Sequence, residues 1–357
     1  MYGLHRRNVF CTLSLYEGGL AVVKRVSLAH GEGGELTHQL IHNIFVKSFG
    51  HKEQMLLDSA ILKGPFETIA VTTDSFVVKP IFFPGGDIGK LAVAGTVNDL
   101  AVSGAIPKVI TASYIIEEGF PLADLQTVVK SMAEEAALAG VSIIAGDTKV
   151  VEKGNVDGLF INTTGIGIVE EKNRLKPDNI QVGDVVIVSG TVGDHGVSIV
   201  SARGELGLMT DVTSDCASLN HLIQELLNEI DGIRIMRDPT RGGLATTLVE
   251  ICEDFHCSIT LVEQSIPIHK KVHGACDILG LDPLYLANEG KVIMIVDAGY
   301  EQQVLEILIN HDLGKSAKTI GQVISSDDHV GKLYVQTPIG TTRRLHRLTG
   351  LLLPRIC

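Results

Sequence analysis

Nowhere does the sequence carry an uninterrupted apolar run long enough to cross a bilayer, which argues against an integral membrane protein. It is also short of basic charge: 30 lysines and arginines face 42 acidic residues, for a formal net charge of -12. That balance disfavours a polyanionic partner, whether nucleic acid or an anionic membrane surface. Cysteine is scarce and irregularly spaced, at positions 11, 216, 252, 257, 276 and 357, which does not make the framework of a small secreted protein. A reducing, cytoplasmic compartment fits better. Arg6 and Arg7 stand where an export signal begins, but Glu17, Gly18 and Gly19 break the apolar stretch behind them and no small-residue cleavage site follows. Residues 1–24 read as an extension.

The common phosphate-binding loops are missing too, since neither GxxxxGK[ST] nor a GxGxxG after a strand occurs. Zinc is disfavoured around Cys252, His256, Cys257, His269, His273 and Cys276: they include no CxxC pair, and Cys252 falls in an apolar helical run.

What is present is a chain of 357 residues, 45% apolar and with 38 glycines, enough for two cores. Short β-rich runs alternate with longer helical patterns, so the fold class is α/β. Leu36, Leu40, Ile44 and Phe45 make one helical stripe after HGEGG, and DIGKLAVAGTVNDLAVSGA reads as a long helix. PLADLQTVVKSMAEEAALAG is the clearest helix, with Pro121 at its start, Leu125, Val128, Val129 and Met132 on its apolar face and Gly140 as its stop. The charged, proline-bearing stretch at 170–182 marks a junction between domains at 25–170 and 171–338. Residues 339–357 read as a basic, leucine-rich tail able to dock and release, with Pro354 keeping its tip extended.

Single aspartates recur at element ends: Asp58, Asp74, Asp99, Asp147 and Asp238. Each alone reads as a cap or turn residue; as a set beside glycines they suit Mg²⁺ and, through it, a triphosphate. Gly31, Gly33 and Gly34 suit either a flap over phosphates or a plain turn. Arg241, Gly242 and Gly243 suit either an anion site at a helix start or ordinary helix entry. Cys357, the last residue, is by itself only where the chain stops; nothing follows it, so it is no prenylation site.

Taken together, LAHGEGG, TTDSFVVKPIFFPGGDIGKLAVAGTVNDLAVSGA, GDTKVVEKG, INTTGIG, MRDPTRGGLAT, LDPLYLANEGK and the closing LPRIC are a specific set. From about residue 25 onward the chain resembles the HypE family of hydrogenase maturation proteins, within the aminoimidazole-ribonucleotide-synthetase-like ATP-binding superfamily. The resemblance implies two α/β domains, a homodimer joined through N-terminal sheets that close into a barrel, and ATP with Mg²⁺ at the interface. It implies that a HypF-like carbamoyltransferase loads a carbamoyl group onto the Cys357 thiol. ATP-dependent dehydration then gives a thiocyanate, and the cyano group passes to iron on a HypC–HypD-like complex.

By the same resemblance, Asp58, Asp74, Asp99 and Asp238 match metal and phosphate carboxylates. Gly33, Gly34, Asp147, Thr148, Arg241 and Gly242 match nucleotide-binding positions, and Lys149 and Glu289 match proton acceptors. Lys149 stays open between base and point charge on the phosphate, because a base amine needs a lowered pKa that acidic neighbours oppose. Rival readings are another enzyme of the superfamily, such as selenophosphate synthetase, or a non-catalytic nucleotide-binding scaffold. HGEGG lacks the reactive cysteine of the former, and the joint presence of Lys149, Glu289 and Cys357 weighs against the latter.

Overall fold

A computed structural model describes residues 33–40, 42–43, 60–63, 68–204, 207–325, 330–349, 353 and 355–357. The extension at 1–24, Gly31, Asp58, and Ile44 and Phe45 lie outside the described residues, as does the side chain of Leu40.

The first half builds a five-stranded sheet from β1 (Ala60–Lys63), β2 (Thr68–Phe76), β5 (Ala105–Glu117), β6 (Ser142–Val151) and β7 (Leu159–Val169), in the order β1-β2-β7-β5-β6. All neighbours are antiparallel except β5 and β6. A small hairpin of β3 (Phe82–Phe83) and β4 (Gly86–Asp87) leads into the helix Ile88–Val102. Asp87 caps that helix, accepting from the N–H groups of Gly89 and Lys90 at 2.7 and 3.2 Å.

This helix is buried on almost every side. Its apolar residues pack under the sheet, and Ala101 and Val102 at its end join the core of the second half. The helix Leu122–Ala139 covers it through Val128, Met132 and Ala136, and ends at Gly140 in the left-handed conformation (φ 69°). Val129, expected on the same face, is instead 44% exposed. Val128, Met132 and Ala136 lie four residues apart and set the buried stripe, whereas Val129 is rotated past its edge.

The second half forms a seven-stranded sheet from β8 (Val185–Val188), β9 (Ile233–Arg237), β10 (Ser258–Val262), β11 (Ile293–Val296), β12 (Lys318–Ile324), β13 (Leu333–Gln336) and β14 (Thr342–Leu345). The order is β14-β13-β10-β12-β8-β11-β9. Helices cover both faces, so its central strands carry continuous apolar runs rather than alternating ones. On β8, Val186 and Val188 join the core around helix Gly243–Asp254, while Val185 and Ile187 join the one around helices Asn220–Glu229 and Glu301–Asn310.

Residues 342–345, expected in the mobile tail, are an edge strand of this sheet, paired antiparallel to β13. Arg347 follows, buried and paired with Glu253 at 2.6 Å. Among the described residues, no helix is long and apolar enough to cross a membrane.

Candidate active site

The tip of the chain lies between the two halves. The backbone N–H groups of Val77 and Lys79 donate to the carbonyls of Cys357 and Arg355 at 3.2 and 3.1 Å, so the tip adds itself to the segment that leaves β2. Ile356 and Cys357 are buried and belong to the same apolar core as Phe76, Leu91 and Ile199.

Around Cys357 a residual cavity of about 20 Å³ is lined by Asp74, Ser75, Phe76, Gly95, Asp99, Asp238, Thr240, Arg241 and Glu289. Asp74 stands on β2, Asp99 on the buried helix Ile88–Val102 and Asp238 just after β9. Three of the four expected metal carboxylates thus converge from both halves of the chain; the fourth, Asp58, is among the residues not described. Asp99 is oriented by the Thr72 hydroxyl, which donates to its Oδ2 at 2.7 Å.

Glu289 is 3% exposed and lines the same small cavity as Cys357. Burial, with Asp238, Asp215 and Asp74 nearby, pushes the Glu289 carboxyl well above the ordinary range, and Arg241 opposes that only in part. Among the described residues, Glu289 Oε1 has no hydrogen-bond partner. A buried carboxylate oxygen without a donor is costly, so this atom is placed to take a proton. Asn98 fixes the main chain here: its amide donates to the carbonyls of Ala217 and Glu289 at 3.0 and 3.4 Å and accepts from the Leu219 N–H at 2.8 Å.

Burial also raises the Cys357 thiol well above its usual pKa, against the lowering effect of Arg241. Arg355 pairs with Asp157, with Nη1 2.5 Å from the carboxylate. The docked cysteine is therefore a neutral thiol.

Arg241 is exposed and lines the cavity around Cys357. It precedes Gly242 and Gly243, both left-handed (φ 80° and 63°), which turn the chain into helix Gly243–Asp254. Gly33 sits directly on Arg241, where a Cβ would come within 2.9 Å of the arginine Cβ. Next to it, the N–H of Glu35 donates to the Leu348 carbonyl at 3.1 Å, so the Gly33–Gly34 turn touches both the site and the base of the tail.

Asp147, Thr148 and Lys149 are not part of this constellation. They stand on β6, exposed, with Lys149 Nζ 2.8 Å from Asp147 Oδ2. The sheet register runs from Asp74 through Thr163 and Ala112 to Gly146, so three strand spacings, about 14 Å, separate Asp74 from the strand bearing Lys149. Several residues at the site had no distinguishing mark in sequence: Asn98, His195, Ser214 and Asp215. Of these only Asn98 adjoins a residue singled out there, Asp99.

The two halves and the acid-lined cleft between them place the chain in a class: residues 57–169 match the AIR synthase related protein, N-terminal domain, and residues 181–333 match the corresponding C-terminal domain. It is 44% identical over 337 residues to the carbamoyl dehydratase HypE of Rhodobacter capsulatus, a match covering 94% of this chain and 98% of that protein. The chain belongs to the HypE family.

Two solved structures support this. HypE in a HypE–HypF complex superposes with a TM-score of 0.81 at 48% identity, covering 87% of this chain and 99% of that one. The hydrogenase maturation protein HypE in complex with ATP superposes with a TM-score of 0.77 at 43% identity, covering 92% and 99%.

Proposed function

We infer that the chain is an ATP-dependent carbamoyl dehydratase of nickel-iron hydrogenase maturation, acting on a carbamoyl group carried by its own Cys357 sulfur. The observation that carries this reading is the buried Cys357 thiol sharing one cavity with Glu289, in a cleft lined by Asp74, Asp99 and Asp238. A non-catalytic scaffold has no use for that arrangement.

Converting S–C(=O)–NH₂ to S–C≡N removes one oxygen and two N–H protons. ATP supplies the phosphoryl group that lets the oxygen leave as phosphate. Glu289 accepts one N–H proton and the departing phosphate carries the other; the raised pKa of Glu289 brings it towards the working pH, where a general base is most effective. Asp74, Asp99 and Asp238 are hard oxygen donors of the kind Mg²⁺ takes, and they would hold that ion with the nucleotide. Arg241 balances phosphate charge, and the backbone at Gly242 lies at a helix N-terminus suited to an anion. Gly33 and Gly34 cover this region, and Asp58 joins the carboxylate set on sequence grounds alone. The buried surroundings of Cys357 exclude water that would hydrolyse an activated carbamoyl.

Lys149, Asp147 and Thr148 serve a second copy. Strand β6 is exposed through Val150, with Ile144 at 61% and Val150 at 67%, and among the described residues it is an edge of its sheet. Such an edge invites pairing with another chain, and a homodimer closing the two sheets would bring Lys149 to the partner's cleft, as a charge on the phosphate. The units 25–170 and 171–338 then share each site. Outside the docked state, the tail presents Cys357 to a HypF-like carbamoyltransferase and afterwards to a HypC–HypD-like iron carrier.

The test is mass spectrometry of the C-terminal peptide after incubation with carbamoyltransferase, carbamoyl phosphate and ATP. Cys357 should gain a carbamoyl and then a cyano group; a peptide that stays unmodified overturns the reading.

A further inference from the structure

A thiol is a weak hydrogen-bonding group, yet chemistry on the cargo of Cys357 needs the sulfur held in place. Ordering each residue of an extended tip costs about 1–2 kcal/mol of backbone entropy, so something other than the thiol must hold it. Two side chains outside the acid-lined cleft do so through the peptide carbonyls just ahead of the cysteine. Arg203, at the end of helix Asp194–Arg203, donates from Nη2 to the Arg355 carbonyl at 2.7 Å and from Nε to the Lys79 carbonyl at 2.7 Å. It staples the tip to the segment the tip pairs with.

His195, near the start of that helix, is fully buried, with its Nε2 2.7 Å from the Ile356 carbonyl. A carbonyl only accepts, so Nε2 carries the proton and Nδ1 accepts from the Ser214 hydroxyl at 2.8 Å. Ser214 Oγ in turn accepts from the Cys216 N–H at 3.0 Å. Burial lowers the His195 pKa against the raising effect of Asp215, which keeps this neutral tautomer, and the edge of Phe83 packs on the ring at 5.5 Å. The inner side of the imidazole is thus locked by the fold, and its one remaining donor points at the tail. With the tip withdrawn, that N–H loses the Ile356 carbonyl, its one partner among the described residues, as the Arg203 Nη2 loses the Arg355 carbonyl.

We propose that His195 and Arg203 are positioning residues that grip the Ile356 and Arg355 carbonyls and so set the Cys357 sulfur against Glu289, whatever group the sulfur carries. The inference rests on Cys357 as the carrier, but its first test does not require turnover. The grip reads backbone, so a free thiol, a thiocarbamate and a thiocyanate are held alike.

The full chain is treated with iodoacetamide, and alkylation at Cys357 is followed by mass spectrometry of the C-terminal peptide. His195→Phe keeps a ring but removes the donor, and Arg203→Met removes the guanidinium bond to the Arg355 carbonyl. Each lost hydrogen bond to the tail should speed alkylation about fivefold by populating the withdrawn state, and His195→Gln, which restores a donor, should reverse most of the increase. Pre-carbamoylated His195→Phe should form thiocyanate correspondingly more slowly. Alkylation of both variants at the unmodified rate, with unchanged melting temperature, overturns the proposal. Should His195→Phe not fold, Arg203→Met, on a partly exposed residue, decides alone. Failure of every protein, the unmodified one included, to form thiocyanate would instead sink the dehydratase reading and leave the alkylation comparison standing.

Discussion

The backbone N–H of Glu289 donates to Asp215 Oδ1 at 3.1 Å, and the other oxygen of Asp215 lies 3.1 Å from the ammonium of Lys291. The pair is well sequestered, with side chains 11% exposed for Lys291 and 4% for Asp215. Removing the lysine strands a buried carboxylate directly behind the base. Lys291→Met should therefore cost roughly 3 kcal/mol or more of unfolding free energy, read from a urea titration. Lys291→Met together with Asp215→Asn should recover part of it.

Glu289→Gln keeps the shape of the side chain and removes the proton acceptor. The S-carbamoyl form of Cys357 should accumulate, with thiocyanate formation slowed by about 100-fold or more and ATP binding retained. Cyanation at the ordinary rate in that variant would take Glu289 out of the chemistry.

The same carboxyl links pH to stability. Its folded-state pKa is raised above that of the unfolded chain, first by burial and then by neighbouring carboxylates. Its contribution is fully present below the ordinary glutamate range and is lost as pH rises through the folded value, because ionised Glu289 is then buried among like charges. Glu289→Gln should accordingly melt higher than the unmodified protein at alkaline pH, with the gap closing as pH falls. Thiocyanate formation in the unmodified protein should run the other way, rising with pH as the base ionises.

If Lys149 serves the partner's cleft, the two lesions must complement. Lys149→Ala and Glu289→Gln proteins, each impaired alone, should recover about a quarter of the activity when subunits are mixed equally, since half the dimers are mixed and one of their two sites is intact. No recovery after verified subunit exchange would place Lys149 in its own chain's site or outside the chemistry. Ile144→Asp on β6 should give a monomer by analytical ultracentrifugation.

Gly290, beside Glu289, is packed so closely that a Cβ would stand 1.9 Å from the Asp215 carbonyl oxygen. Gly290→Ala must push the 215–217 segment away and carry Glu289 with it. The expected loss is about 1–3 kcal/mol of stability together with slower thiocyanate formation, measured by chemical denaturation and by mass spectrometry.

How far sequence reveals this site depends on what holds each residue. The continuous apolar run Val185–Val188 announces a strand covered on both faces, and that is where it lies. Asp74, Asp99 and Asp238 are legible because each ends or interrupts an apolar element, a place where core packing alone would not select a carboxylate. Lys149 reads as part of the same set, yet three strand spacings part its strand from Asp74; a motif records which residue is used and is silent about whose cleft it faces. His195 was out of reach for a different reason. Its role rests on a carbonyl 161 residues away, and peptide carbonyls are the same in every sequence.

The pairing of Val77 and Lys79 with the last residues of the chain also sets the kinetics. A substrate attached to the enzyme that transforms it has no bulk concentration; it has an effective one, set by the tether and by the fraction of time the tip is seated. Dilution cannot starve such a site and excess cannot saturate it. A competing partner gains access to Cys357 only during the intervals when the tip is out, so delivery and dehydration take turns on one thiol by mass action between two surfaces.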